Sequence, residues 1–237
     1  MKTKKLSCIL VTLLIGTNLN AMSSFAEENE LLGGDYAIVN EEEYQNYLST
    51  LSDEQLEKIA IKQALMEEET NLITIYSLNA TKLSLPGTFT MYQQETDTFC
   101  GPACVKSTLM YINGSSPSQS SINFSINRDF TKIPNYVNNR QSRSPYIYLS
   151  EPTQSQLTAC IKTSINSEIP TFLRIADTST PTWYYNTDGH CVLSNAIYSD
   201  NSKIQIADPL GDRVSGCPYF YEKNASTVYD YTTDLIY

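Results

Sequence analysis

The 237-residue chain predicts an α+β fold, with a helical half leading and an antiparallel sheet following. Three observations carry that expectation. Apolar residues recur at helical spacing up to about residue 165, short runs rich in β-branched and aromatic residues take over from Thr171, and turn residues then fall between those runs. Helices that precede strands in this way bury their apolar faces against one sheet.

The elements follow in order. Lys2, Lys4 and Lys5, the apolar stretch from Leu6 to Ile15 and the small-x-small site Ser24-Phe25-Ala26 read as a signal peptide over residues 1–26. Cys8 comes too early for a lipid anchor, and no later stretch approaches the roughly 20 apolar residues of a transmembrane helix. The mature product is expected to be secreted, with no membrane span. Residues 27–85 form an acidic helical pro-segment or N-terminal extension: between Glu27 and Thr70 there are 13 acidic residues against Lys58 and Lys62. Helix is expected over 41–69, with Ser52-Asp53-Glu54-Gln55 as a capping box, and Pro86-Gly87 closes the segment with a turn. An ordinary helical layer of the same domain is the alternative. Gly33-Gly34 reads as a flexible joint after the signal.

Residues 86–237 are expected to form one domain, a comfortable size for a single core. Cys100 begins a helix that runs through Leu109 and Ile112 and stops at Asn113-Gly114. Ser116-Pro117-Ser118-Gln119 starts a second, with Pro117 at the first helical position. Residues 135–140 make a short third, and Thr153-Gln154-Ser155-Gln156 caps a fourth through Ile165. Strands are expected at 171–175, 191–197 and 203–207, the last two joined by the turn at 199–202, with an edge strand at 218–221.

Charge removes one class of partner. The net charge is −10 and no basic patch exists, which argues against nucleic acid. After signal removal five cysteines remain, Cys100, Cys104, Cys160, Cys191 and Cys217, an odd number that leaves at least one thiol unpaired. If Cys100 is that thiol, the others allow three pairings or none.

The chain has one histidine, His190, in Gly189-His190-Cys191, about ninety residues after Gln94-Glu95-Thr96-Asp97-Thr98-Phe99-Cys100-Gly101-Pro102-Ala103. A cysteine at a helix N-terminus is placed for stabilisation as thiolate by the helix dipole and by an imidazolium. The Cys100 backbone N–H and the neutral side-chain amide of Gln94 would receive an oxyanion that a carboxylate there would repel. His190 would exchange protons with the sulfur, the leaving group and water. Its orienting acceptor is expected in Asp208, which ends the next strand and would take the Nδ1 proton. A tight turn at Asp200-Asn201 puts Asp208 opposite Leu193, about 10 Å along the strand from His190 at about 3.4 Å per residue. A bulge or wider loop is therefore required, and Asp212 is the reserve. A zinc set of Cys100, Cys104, His190 and Cys191 lacks the paired close spacings of such sites, so no metal and no cofactor are expected.

Gln94-x5-Cys100-Gly101-Pro102-Ala103, Ser118-Gln119 after the first helix, Gly189-His190 opening a strand and Asp208-Pro209 closing the next together resemble the C39-like peptidases of the papain-like cysteine protease superfamily. The resemblance covers about 86–237. It implies a papain-like domain, Cys100 as nucleophile, His190 as base, Asp208 as orienter, Gln94 in the oxyanion hole and a peptide or protein substrate. The members best known for this motif are fused to transporters, so their leader-peptide substrate is not carried over. Cys191 stands where a larger apolar residue is usual. The expectation is a secreted cysteine peptidase. Transglutaminase-like acyl transfer and a catalytically inactive secreted binding or adhesion module are the alternatives; oligomeric state is left open.

Overall fold

The computed structural model describes residues 38–71 and 80–237; the signal peptide and Gly33-Gly34 lie outside them. The described residues hold seven α-helices and a seven-stranded antiparallel sheet, a mixed α+β fold. The helical stretch expected at 41–69 is two helices, α1 (Glu41–Ser49) and α2 (Asp53–Asn71). The break lies at the capping box: the Gln55 side chain accepts from the Ser52 N–H at 3.0 Å, and Ser52 Oγ accepts from the Gln55 N–H at 3.3 Å.

The segment 38–71 is fastened to the rest of the protein. Tyr44 and Tyr47 are buried, their hydroxyls accepting from the Tyr148 N–H and the Asn138 side-chain amide at 3.2 and 2.9 Å. Lys162 meets Glu69 at 2.8 Å, and Ile59 and Met66 enter the core. None of these contacts touches Cys100, His190 or Asp208.

Strand β1 (Lys82–Ser84) follows, then α3 (Cys100–Asn113), which begins and ends at the residues expected; Gly114, at φ 70°, supplies the left-handed stop. Helix α4 (Gln119–Ile126) corrects one expectation. Its cap is Ser118, whose hydroxyl accepts from the Ser121 N–H, so Pro117 precedes the cap instead of occupying the first turn. A 3-10 turn, Phe130–Lys132, leads into α5 (Ile133–Asn138), two residues ahead of the expected 135–140. Strand β2 (Tyr148–Ser150) precedes α6 (Gln154–Asn166), which carries both bonds of the Thr153/Gln156 capping box.

The sheet continues with β3 (Thr171–Ile175), β4 (His190–Tyr198), β5 (Lys203–Ala207), β6 (Phe220–Asn224) and β7 (Thr232–Ile236), with α7 (Ala225–Tyr231) between the last two. The order is β2-β7-β3-β4-β5-β6, and β1 also pairs with β4. Alternate residues of the central strands feed two separate buried clusters. Phe172, Cys191, Leu193, Ala207 and Ile236 join Cys104, Val105 and Leu109 of α3, whereas Leu173, Val192, Ile204, Ile206 and Leu235 join Leu157 and Ile161 of α6. That period-two alternation places apolar layers on both faces of the sheet. Helices therefore cover both faces, more than the one helical half expected to carry the nucleophile.

The register between β4 and β5 bears directly on the site. Ala196 and Ile197 pair with Gln205 and Ile204, as a tight turn requires, but Ser194 and Leu193 pair with Ile206 and Ala207. Asn195 is the extra residue of a bulge. It advances Asp208 one residue toward His190, and the β4–β5 pairing ends at Ala207, while the Asp208 N–H still donates to the Tyr219 carbonyl at 2.9 Å.

Candidate active site

Cys100 is the first residue of α3, and no side chain caps that helix start. Its first-turn N–H groups have no intrahelical partner, and Pro102 has none to offer. The same end carries the positive pole of the helix dipole. His190 opens β4, where the pairing of Ile175 with His190 ends the β3 ladder. Both residues are buried, Cys100 at 0% and His190 at 2% exposure.

His190 Nε2 lies 3.1 Å from Asp208 Oδ1, and Cys100 lies near enough to favour the charged form of the same ring. Carboxylate and sulfur thus both act on one ring. The orienting nitrogen is Nε2, a correction of the expected Nδ1: Asp208 approaches the far nitrogen of the ring. Asp212 is exposed and its backbone N–H is used by the Cys217 carbonyl. It makes no bond to His190 among the described residues.

Asp208 is fully buried and accepts widely. Oδ1 also receives the Leu210 N–H at 2.9 Å, while Oδ2 receives the Tyr185 and Tyr221 hydroxyls at 2.5 and 2.7 Å and has the Cys217 sulfur at 3.9 Å. Burial pushes the Asp208 pKa up, but the His190 bond and charge with the tyrosine and backbone donors outweigh it, and the result is lowered. Burial likewise pushes His190 down; the hydrogen bond and charge of Asp208, helped by Cys100, reverse this and raise it to about 10. An imidazolium–carboxylate pair is the state that these partners favour.

Gln94 is also buried, at 3% exposure. Its amide nitrogen donates to the carbonyls of Thr96 and Asp97 at 2.9 and 3.1 Å, and its oxygen has no hydrogen-bond partner. In this state both amide hydrogens are engaged within the loop that precedes Cys100. That loop is braced on each side of Gln94: Gln119 Nε2 donates to the Gln93 carbonyl at 2.7 Å, and Gln119 Oε1 accepts from the Glu95 N–H at 3.0 Å. Arg213 donates to the Gln94 carbonyl and pairs with Asp97 at 2.6 Å.

All five cysteines of the described chain are free and buried. Cys104, one turn beyond Cys100, donates to the Cys191 carbonyl at 3.3 Å, and burial pushes its thiol well above the ordinary range. It belongs to the core. No group of His, Cys, Asp and Glu that could hold a metal exists among the described residues. A groove of about 400 Å³ is lined by Ile59, Lys62, Leu65 and residues 141–145, and contains none of the four expected site residues.

Sequence reasoning did not single out Tyr185, Tyr221, Gln119 or Arg213 for these contacts. With 17 tyrosines in the chain, no local signal marks the two whose hydroxyls meet a buried carboxylate. No protein-family model matches the chain, and no curated protein is significantly similar to it.

Proposed function

We propose that this protein is a secreted cysteine peptidase with a papain-like arrangement, hydrolysing peptide bonds through a thioester acyl-enzyme. The observation that carries the reading is the buried His190 ring bonded to the Asp208 carboxylate, with Cys100 at a helix N-terminus near enough to favour its charged form. A thiolate there would attack the substrate carbonyl carbon, and the resulting oxyanion would meet the Cys100 N–H. Gln94 would add a second donor by surrendering one of its two loop carbonyls. His190 would pass its proton to the departing amine, then remove one from the water that cleaves the thioester and returns the thiol. Asp208 holds the ring in position and favours its charged form throughout.

One observation favours an inactive binding module instead: Cys100 presents no surface and the Gln94 donors are occupied. Two measurements separate the readings. Digestion of a peptide library by the purified domain should show cleavage that Cys100→Ala abolishes and Cys104→Ala retains. Iodoacetamide at mildly acidic pH should label Cys100 ahead of the other thiols, because an ordinary thiol is protonated there. Turnover that survives Cys100→Ala rejects the peptidase assignment, and slow, unselective labelling supports the module.

A further inference from the structure

We propose that Tyr185 and Tyr221 are positioning residues for this reaction, acting through Asp208: their hydroxyls occupy one carboxylate oxygen and so fix the other on His190. The inference rests on the peptidase reading above. A carboxylate has about four lone-pair sites, and here four close donors fill them: His190 Nε2 and the Leu210 N–H on Oδ1, the two tyrosines on Oδ2, with the Cys217 thiol a more distant fifth on Oδ2 at 3.9 Å. Apart from His190 these donors are fixed by the fold, so the direction left to Oδ1 is the one that faces the imidazole. Asp208 has no exposure, which leaves these donors to do what water would do for an exposed carboxylate.

The two tyrosines are built into the site from separate directions. Tyr185 lies in the loop that enters β4, and its ring stands edge-on to the His190 ring, with centroids 5.3 Å apart at 83°. It therefore packs on one member of the pair and bonds the other. Tyr221 sits on β6, opposite Ile206 of β5, and its own ring is held edge-on by Tyr184 at 4.8 Å and Trp183 at 6.0 Å. Burial pushes both hydroxyls well above the ordinary tyrosine range, so they stay donors wherever the peptidase operates. Phenylalanine at either place keeps the ring and deletes only the donor.

The consequence has a definite sign. Hydrogen bonds to the ionised form lower a carboxylate's proton affinity, so losing one makes Asp208 take up a proton at higher pH. A neutral Asp208 no longer sustains the imidazolium, and the thiolate goes with it. The acid limb of reactivity should therefore move upward, by about one pH unit per hydroxyl, the scale of one charge-assisted hydrogen bond.

The test is the pH dependence of Cys100 alkylation by iodoacetamide, followed by mass spectrometry, beside kcat/KM on a cleaved peptide. The proteins are the full-length wild type, Tyr185→Phe, Tyr221→Phe and, as control, Tyr184→Phe, which has no bond to Asp208. Thermal midpoints establish that each variant is folded. The expected result is an acid limb raised in both Asp208-bonded variants, about tenfold lower kcat/KM on the wild-type limb, little change in KM, and a control that follows the wild type. Limbs that coincide in all four proteins overturn the proposal while the peptidase reading stands, as does lost activity without movement of the limb. A wild type with no thiol reactive at acidic pH overturns both.

Discussion

Replacing Asp208 by Asn probes the charge relation within the site. The variant keeps shape but loses the negative charge, and its new NH2 group must face either the His190 ring or two tyrosine hydroxyls. A histidine ionising near 10 instead of 6.5 holds about 5 kcal/mol of preference for its charged form in the fold, at about 1.4 kcal/mol per pH unit. Because that pKa is raised, the stabilisation is complete below pH 6.5 and is lost as the pH climbs to 10. Asp208, whose pKa is lowered, adds a contribution that is constant across this window. A proton passed from the Cys100 thiol to the ring would leave the number of bound protons unchanged and hide the slope. The comparison is therefore Cys100→Ala against Cys100→Ala/Asp208→Asn, by urea unfolding from pH 6.5 upward; background titrations, including that of Lys62, are common to both. The stability gap should be several kcal/mol at neutral pH, about 5 at most, and close as the pH nears 10. A gap that does not vary with pH refutes the reasoning. On the proposed peptidase reading, the same substitution with Cys100 intact should lower kcat/KM by about 10³- to 10⁴-fold and pull its alkaline limb from near 10 to below the ordinary histidine range.

Two further substitutions probe what surrounds the site. Gly211→Ala places a Cβ 2.6 Å from the Tyr219 Cα and backbone nitrogen, neither of which can rotate away. The Gly211 N–H also donates to the Asp208 carbonyl at 3.1 Å, so stability should fall by about 1–3 kcal/mol with a loss of kcat/KM; denaturation within about 0.5 kcal/mol of wild type defeats this. Lys62→Met concerns an ammonium buried on α2, which donates to the Pro145 carbonyl at 2.8 Å and lies over the Tyr146 and Tyr237 rings. Burial lowers its pKa to about 7, so the folded protein binds fewer protons than the unfolded chain above that pH, and wild-type stability should gain from this group as the pH rises toward 10.5. Unfolding free energies against pH should lose that gain in the Met variant, and an unchanged slope counts against it.

What could be read from the chain follows the range of the contacts involved. Helix α3 was legible end to end because its signals are local: apolar spacing, a proline tolerated in the first turn and a glycine that accepts φ 70°. Strands β3 and β5 were legible for the same reason, each a short β-branched run between turn residues. Strand β7 was not, because its place between β2 and β3 is set by partners more than fifty residues away, and helix α7 was missed beside it. The register shows the boundary most clearly. Counting residues across the 199–202 turn reveals that Asp208 falls short of His190, yet nothing local says that Asn195 carries the bulge. The residue types suited to thiol chemistry are thus a local property of this chain, whereas the state of that chemistry is not. His190 is charged or neutral according to a carboxylate eighteen positions on, and that carboxylate is ionised according to tyrosines on either side of it in sequence. A lone histidine can therefore be found by eye, but its pKa belongs to the fold.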